Sequence, residues 1–593
     1  MTVQSVSLTI AGSGGAGVVT AGSLLLDAAA RAGWYALMSR SSGPQIRGGE
    51  AAAMRRFAPE PIMSHDDSFH LLMAIDWDNI TRFSAEIPLT ADSLIVGDPA
   101  HGDAPAGLLN NNPRQAALPM TDIAGGIENG RPNMVALGAI AAMIGLPPAA
   151  MRMVVESALK KKGAAAIEAS MAAFFAGIDA AASLPAIPKL PAVAAETTPR
   201  WSITGNEATG LGVIRGGVRF VAAYPITPAT EVLEWLAPSL AKVGGMLVQA
   251  EDELASINQI IGASYGGVPA MTATSGPGLS LMIESLGLAV AAEVPLVVVD
   301  VMRVGPSTGI ATKSEQSDLN IAVYGLHGDA PHVVVAANSV SDCLFTTQWA
   351  VHLAEAMQVP TIVLTDQAMG QARAILPRPA ELAFIGQREV ATAATAAVEG
   401  ERYKRYAMTG SGVSPMAIPG TPGLTHTADG LEHNEFGTPS SQASDHLAQM
   451  DKRNRKISQY NYGDHWADIE DFGGDPGDAP KEAPLGGTAI ITWGSSTGPA
   501  REALQRLSAS GGKARLISVR LIAPVQPEKM AEALRGIKRA VVVEQSHSGQ
   551  FYRMLRAFYE LPAQTVSLHQ GGPLSFGPQQ ILDQLNQLNA GSA

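Results

Sequence analysis

Two stretches near the middle of the chain constrain its fold most. Residues 219–227, RFVAAYPIT, and 246–250, MLVQA, are short, mainly apolar runs that each stop at a turn. Runs of this length read as strands buried on both faces, the environment of a parallel sheet covered by helices. The first ends at Thr227, which Pro225 and Pro228 bracket, so the backbone around the hydroxyl is stiff. The second ends at Glu251, Asp252 and Glu253. AMTAT ends likewise at Ser275-Gly276-Pro277-Gly278, and PLVVVDVM at Arg303. Ligands of α/β sheets collect at the carboxyl ends of strands. Thr227, Glu251, Ser275 and Arg303 are therefore expected on one sheet edge.

The remaining chain extends this pattern in both directions. Residues 3–11, VQSVSLTIA, alternate as a strand does and run into GSGGAG, with Gly12, Gly14 and Gly17, ahead of a helix expected over Val18–Ala32. Such glycines let a backbone approach a diphosphate at a helix N-terminus. The next strand, WYALMS, ends at Ser39-Arg40, where an NAD site wants an acid for the ribose. SSGPQIRGGE (41–50), with Arg47, suits an anionic ligand, a subunit contact, or a plain turn with a solvated arginine. FHLLMAID and DSLIVGD add two parallel strands, and residues 133–146 and 150–176 are alanine-rich helices. The Pro-rich stretch 183–200 marks a domain boundary. Residues 378–482 are rich in Gly, Pro, Asn and His and are expected to wrap another domain or a partner. His426, Glu432, His433 and Glu435 lie there without a fixed helical spacing, so they read as surface or rim groups rather than metal ligands. Gly487 opens a last α/β unit without an evident catalytic cluster.

Composition narrows the function. With 593 residues the chain exceeds one core and should hold roughly three to five domains. Its 41 Lys and Arg against 54 Asp and Glu give a net charge of −13 without long like-charge runs, which disfavours nucleic acid and anionic membranes as partners. No apolar run approaches the ~20 residues of a membrane-spanning helix. MTVQSVSLTIAGSGGAG lacks the basic start and cleavage site of a signal peptide, so a cytoplasmic chain is expected. Cys343 is the only cysteine. That excludes an internal disulfide, a cysteine-type zinc site and a four-thiolate iron–sulfur cluster from this chain. In SDCLFTTQWAVHLAEAM it reads as a small core residue.

Tyr224-Pro225-Ile226-Thr227-Pro228, followed by Glu251, TATSGPG (272–278), Arg303 and Gln316–Gly328, resembles the pyrimidine-binding domain of 2-oxoacid:ferredoxin oxidoreductases. The likeness continues through YKRYAMTGSGVSP, IPGTPG and GLEHNE into a C-terminal unit similar to that of transketolase, while GSGGAG with GPQIRGGE resembles the family's gamma subunit. The resemblance thus implies a multi-domain α/β gamma–alpha fusion: a gamma-type domain over 1–190, a pyrimidine-binding domain over 198–380, a wrapping segment over 381–482 and a transketolase C-terminal-like domain over 483–593. The fusion order, Gln316-Ser-Asp-Leu and GLEHNE look most like the 2-oxoglutarate enzymes.

Chemistry can be laid on these residues. Thiamine diphosphate needs a carboxylate bonded to its pyrimidine N1′, and a partly desolvated acid with a raised pKa suits that role. The resemblance assigns it to Glu251; the plainer alternative is a helix cap, which Asp252 and Glu253 fit better. It implies Tyr224, Pro225, Ile226, Ser275 and Gly276 around the cofactor, and Thr227 and Arg303 on the 2-oxoacid carboxylate. Lys313 is a candidate for a distal carboxylate. Gly12, Gly14, Gly17 and Arg47 are candidates for coenzyme A or another anion. The chain lacks the G-D-G…N pattern that holds Mg²⁺ and the diphosphate of thiamine enzymes. With one cysteine it also lacks a 4Fe-4S cluster. Both are expected on a beta subunit, in a dimer of heterodimers that reduces ferredoxin. An NAD(P)-dependent dehydrogenase using GSGGAG, a non-catalytic scaffold, and specificity for pyruvate or a branched-chain or aryl oxoacid stand as alternatives.

Overall fold

The structure is a computed structural model describing residues 3–43, 51–78, 80–193, 199–392, 402–473 and 487–591. The chain forms two compact units. The first contains an eight-stranded sheet in the order Arg114–Ala117, Leu94–Gly97, Leu71–Ala74, Val6–Gly12, Ala51–Ala58, Tyr35–Ser42, Arg373–Pro377, Arg200–Thr204. Its first four strands are parallel, and the next four are antiparallel to their neighbours. Val6–Gly12 is buried along its whole length, and Val6, Leu8 and Ile10 share an apolar cluster with the helix Val18–Arg31. Within this unit the helices Pro132–Ile144 and Ala164–Ala180 pack together. Glycine permits the close approach: a Cβ at Gly177 would stand 2.0 Å from the Val135 carbonyl oxygen. By length and composition Ala164–Ser183 is apolar enough to cross a membrane, a stretch the sequence reading missed because Glu168 and Asp179 interrupt the run. It packs against Pro132–Ile144 with Met171, Ala173, Phe174 and Gly177 buried, while 22% of the stretch as a whole is buried.

The second unit contains two sheets. One has seven strands in the order Leu521–Ala523, Val333–Ala336, Pro360–Asp366, Leu296–Met302, Ala270–Thr274, Phe220–Ala223, Met246–Gln249. All are parallel except the first. Leu296–Met302 has no exposed residue. Each large aliphatic side chain so buried contributes about 1.5–3 kcal/mol, which explains the unbroken Val-rich sequence. Cys343 is buried in the helix Val340–Met357, and burial pushes its thiol far above the ordinary range. The other sheet runs Ala467–Phe472, Ala514–Val519, Thr488–Thr492, Arg539–Glu544, Gln564–His569.

The segment expected to wrap a neighbour is more ordered than its composition suggested. It contains a 16-residue helix, Ala443–Ser458, and leads into the edge strand Ala467–Phe472. The helix turns Lys452 and Lys456 onto Glu293, a residue that ends the helix Gly276–Ala291 at φ 52. Lys456 Nζ donates to Glu293 Oε2 at 2.9 Å, Lys452 donates to Oε1, and Arg405 Nη2 donates to the Glu293 carbonyl at 2.9 Å. All four residues are buried. Burial alone would raise the Glu293 carboxyl, but Lys456, Lys452 and Arg405 overcome it and hold it far below the usual range, while burial draws Lys452 down to about 7. This ion cluster fastens the segment. Glu293→Gln should strand two buried ammoniums and destabilise the unit by about 3–5 kcal/mol in urea unfolding. Because the Glu293 carboxyl is depressed from 4.5, the wild-type contribution is complete above that pH and is lost as pH falls further.

Candidate active site

Four of the expected site residues meet along one edge of the seven-stranded sheet. Arg303 follows Leu296–Met302, Ser275 follows Ala270–Thr274, Tyr224–Thr227 follow Phe220–Ala223, and Glu251 follows Met246–Gln249. These strands are neighbours in that spatial order. Parallel pairing makes the arrangement inevitable, since it puts every carboxyl end on the same side. The Ala250 amide donates to the Ala223 carbonyl at 3.0 Å, which sets Glu251 beside Tyr224.

Arg303 and Thr227 touch. Arg303 Nη1 donates to the Thr227 carbonyl at 2.7 Å, so the guanidinium is held by the turn that presents the threonine. Arg303 is buried, and its Nε has no partner among the described residues. Burial lowers its pKa against the pull of Asp318 and Asp300. The turn is braced from beneath by Asn206, whose Nδ2 donates to the Pro228 carbonyl at 3.2 Å. Ser275 is fully buried and its Oγ has no partner among the described residues. An orphan hydroxyl at a ligand edge fits a polar heterocycle, because a buried polar group is otherwise paired.

Asp252, not Glu251, caps the helix Glu253–Tyr265, accepting from the Ala255 amide at 2.7 Å. Glu253 is buried against Thr274 and the Gly278 turn, whereas Glu251 is exposed. The partial desolvation expected for Glu251 is therefore not supplied by this chain alone. Around it lie apolar side chains open to solvent: Tyr224 at 41% exposure, Leu254 at 48% and Leu281 at 51%. A site this polar and this apolar on an open face is a surface still to be covered.

The loop after Arg303 is pinned to the C-terminal sheet by a residue the sequence marked only through resemblance. Gln316 is fully buried. Its Nε2 donates to the Trp493 carbonyl at 2.9 Å, and its Oε1 accepts from Ser496 Oγ at 2.9 Å and the Gln545 amide at 2.7 Å. Gly494, at φ 62, makes room: a Cβ there would stand 2.4 Å from Gln316 Nε2. The Val304 amide donates to the Lys313 carbonyl at 3.0 Å, so Lys313 stays near Arg303. The four residues considered for a metal take other partners, with Arg453 shared between Glu432 and His433. Glu432 pairs with Arg453 and His446, Glu435 with Lys404, and His426 Nε2 contacts Tyr265 Oη at 3.2 Å. His433 is buried against the Tyr406 ring, not at a surface or rim as its sequence context suggested. The neighbouring ring and the Ala291 carbonyl enclose it.

In the first unit, Gly17 caps the helix Val18–Arg31 at φ 78. Gly12 is buried and Gly14 exposed. The Ser13 amide and hydroxyl donate to the Asp76 carboxylate at 2.8 and 2.9 Å. That carboxylate takes the turn amide a diphosphate would use and repels it, which weighs against the dinucleotide alternative. Arg47 lies outside the described residues.

Comparison with known proteins agrees with this geometry. Family models described as "Pyruvate flavodoxin/ferredoxin oxidoreductase, thiamine diP-bdg", "Pyruvate ferredoxin/flavodoxin oxidoreductase" and "Transketolase, C-terminal domain" match residues 211–452, 7–180 and 479–564. The 2-oxoglutarate synthase subunit KorA of Methanothermobacter marburgensis is 34% identical over 360 residues, 60% of this chain and 91% of that one. The chain belongs to the 2-oxoacid:ferredoxin oxidoreductase family. A 2-oxoglutarate:ferredoxin oxidoreductase from Magnetococcus marinus, solved with 2-oxoglutarate, coenzyme A and succinyl-CoA bound, is similar with TM-score 0.89 and 35% identity, over 99% of this chain and 100% of that one. The 2-oxoglutarate oxidoreductase subunit KorA of Mycobacterium tuberculosis is 36% identical over 62% of this chain, an alignment that spans 54% of that relative's length. The family's thiamine-diphosphate-binding module, residues 211–452, includes Thr227, Glu251, Ser275 and Arg303.

Gln316→Ala should leave the Trp493 carbonyl and the Gln545 amide unpaired in a buried joint. We expect a loss of about 2–3 kcal/mol in unfolding free energy, with the 304–318 loop cleaved faster by protease. Unchanged stability and cleavage would mean the glutamine does not carry the joint.

Proposed function

We propose that this chain is the alpha-type subunit of a thiamine-diphosphate-dependent 2-oxoglutarate:ferredoxin oxidoreductase. It converts 2-oxoglutarate, coenzyme A and oxidised ferredoxin to succinyl-CoA, CO₂ and reduced ferredoxin, or runs the reverse carboxylation. The observation that carries the reading is the buried Arg303 guanidinium, held on the Thr227 carbonyl at 2.7 Å, on the sheet edge shared with Ser275 and Glu251. The similarity to the Magnetococcus marinus enzyme supports the choice of 2-oxoacid.

The residues fit the cofactor's pyrimidine half. Glu251 would hold a proton at the pyrimidine N1′. Tyr224, Pro225, Ile226 and Gly276 would wall the ring, and the orphan Ser275 hydroxyl would meet one of its polar atoms. When bound, thiamine diphosphate supplies a nucleophilic carbon and an electron sink for decarboxylation. Arg303 would take the carboxylate next to the ketone, with Thr227 donating alongside, and Lys313 the distal one. A buried guanidinium also keeps water from the carboxylate it binds.

A half-site with an exposed Glu251 needs a cover. We assign that cover to a beta subunit bringing the diphosphate and Mg²⁺ end of the site and a 4Fe-4S cluster, in a cytoplasmic dimer of heterodimers. On this reading 1–190 is the gamma-type domain. Residues 198–380 carry the pyrimidine site, 381–482 fasten it, and 483–593 dock through Gln316.

Co-expression with a cysteine-rich beta-type subunit should yield a brown complex that reduces viologen with 2-oxoglutarate and coenzyme A. A colourless preparation of this chain alone with full activity would overturn the reading. In the complex, Glu251→Ala should assemble and lose activity by about 1,000-fold. Arg303→Lys, which cannot bind bidentately, should lower kcat/KM for 2-oxoglutarate by about 100-fold.

A further inference from the structure

Behind Arg303 lie two carboxyls that the reading above does not use. Asp300 sits in the strand Leu296–Met302, three residues before Arg303, and is fully buried. Asp318 belongs to the Gln316-Ser-Asp-Leu loop and precedes the helix Leu319–Tyr324. Asp300 is paired in register with Thr274, two residues before Gly276, and the two carboxyls act on each other and on Arg303. Asp318 presses against Gly276, where a Cβ would stand 2.6 Å from Oδ2. That places it at the N-terminal end of the 16-residue helix Gly276–Ala291.

The pairing cannot be between two carboxylates. Each oxygen of Asp300, and Asp318 Oδ2, is sealed from solvent and meets no N–H or O–H donor of another residue type among the described residues. An ionised, undonated carboxylate at full burial is prohibitive, so one proton is shared. Burial, with Asp318 beside it, holds Asp300 well above the ordinary carboxyl range. Burial and the nearby Glu315 raise Asp318 to about 6, against the pull of Arg303. Asp318, at a helix N-terminus, is the better place for the negative charge. Asp300 keeps the proton and donates it. Arg303, Glu315 and the pair itself are the charged groups that face one another here.

We propose that Asp300 and Asp318 form a one-proton acid pair that serves as the standing counter-ion of Arg303. The inference rests on Arg303 binding the 2-oxoacid carboxylate. During decarboxylation the bond from the carboxylate carbon to the ketone carbon breaks, CO₂ leaves neutral, and the bonding electron pair stays with the remaining fragment. The anion that Arg303 held is then gone. Without the pair, a buried guanidinium would be left uncompensated, and the empty site would grip the ground-state carboxylate tightly. Tight ground-state binding that is lost in the transition state lowers turnover. The pair balances Arg303 before substrate arrives and after CO₂ departs. Asp318 is a positioning residue in this sense.

The test uses the full complex with its partner subunit and cofactor. Affinity for N-oxalylglycine, a 2-oxoglutarate isostere that does not decarboxylate, is measured by calorimetry from pH 5 to 8. Wild type should bind more tightly as pH falls through about 6, where Asp318 takes up its proton and Arg303 loses its counter-charge. Asp318→Asn should bind about tenfold more tightly at pH 7.5, the factor that one unit of pKa coupling represents. It should also lose the pH dependence, with KM and kcat for 2-oxoglutarate falling together. Asp300→Asn keeps a hydrogen donor toward Asp318 and should retain the wild-type titration. Weaker or unchanged binding by Asp318→Asn overturns the proposal. Should that variant fail to assemble, a flat wild-type profile overturns it equally. If Arg303→Lys binds the isostere as tightly as wild type, the assignment of Arg303 falls and the pair's role with it. If Arg303→Lys binds weakly while Asp318→Asn binds as wild type, only the pair's role falls.

Discussion

A guanidinium taken out of water must be given oxygen atoms in exchange, and much of this site follows from how Arg303 meets that requirement. Its Nη1 takes the Thr227 carbonyl, the Asp300–Asp318 pair supplies one compensating charge, and its Nε has no partner among the described residues. The carbonyl is available because the turn after Phe220–Ala223 is braced by Asn206 on the Pro228 carbonyl. Asp318 is in reach because Gln316, two residues earlier, is locked to Trp493, Ser496 and Gln545. The arginine's environment is thus assembled from three distant parts of the sequence. No one of them makes it alone.

The second unit is closed by charge as well as by apolar packing. The Val-rich parallel strands supply the bulk of the burial, and residues 402–458 add Met416 against Ala292 and Val294 and Ile457 in the main core. Lys452, Lys456 and Arg405 fasten the segment as well, by converging on Glu293 where the helix Gly276–Ala291 ends. That helix begins at Gly276, beside Asp318. Both of its ends consequently meet segments from elsewhere, Asp318 at one and the ion cluster at the other.

Sequence reading located the edge well. Thr227, Ser275 and Arg303 were legible as residues just past apolar runs, because a parallel strand buried on both faces must be continuously apolar and must end where its polar residues begin. Glu251 also follows its run, but Met246–Gln249 is an exposed edge strand and not the doubly buried one its composition suggested. The assignment of capping to Asp252 was also legible, since a carboxylate three residues before the Ala255 amide is the ordinary geometry of a helix start. His433 was misread: a histidine in a Gly- and Asn-rich stretch looks exposed, and only the approach of Tyr406 and Ala291 buries it. The helix Ala443–Ser458 was missed because its polar stripe carries the buried lysines, so periodicity pointed away from a packed helix.

By itself the sequence determined the parallel architecture, the strand ends and the residue types that stand at them. It did so because those features depend on residues close together in the chain. Tertiary structure alone decided that Arg303 rests on the Thr227 carbonyl, that Asp318 faces Asp300, that Gln316 is buried, and that Glu251 stands open to solvent. Each of these depends on which distant segments pack against one another, and burial, not spacing, sets the charge and hydrogen bonding of the groups involved.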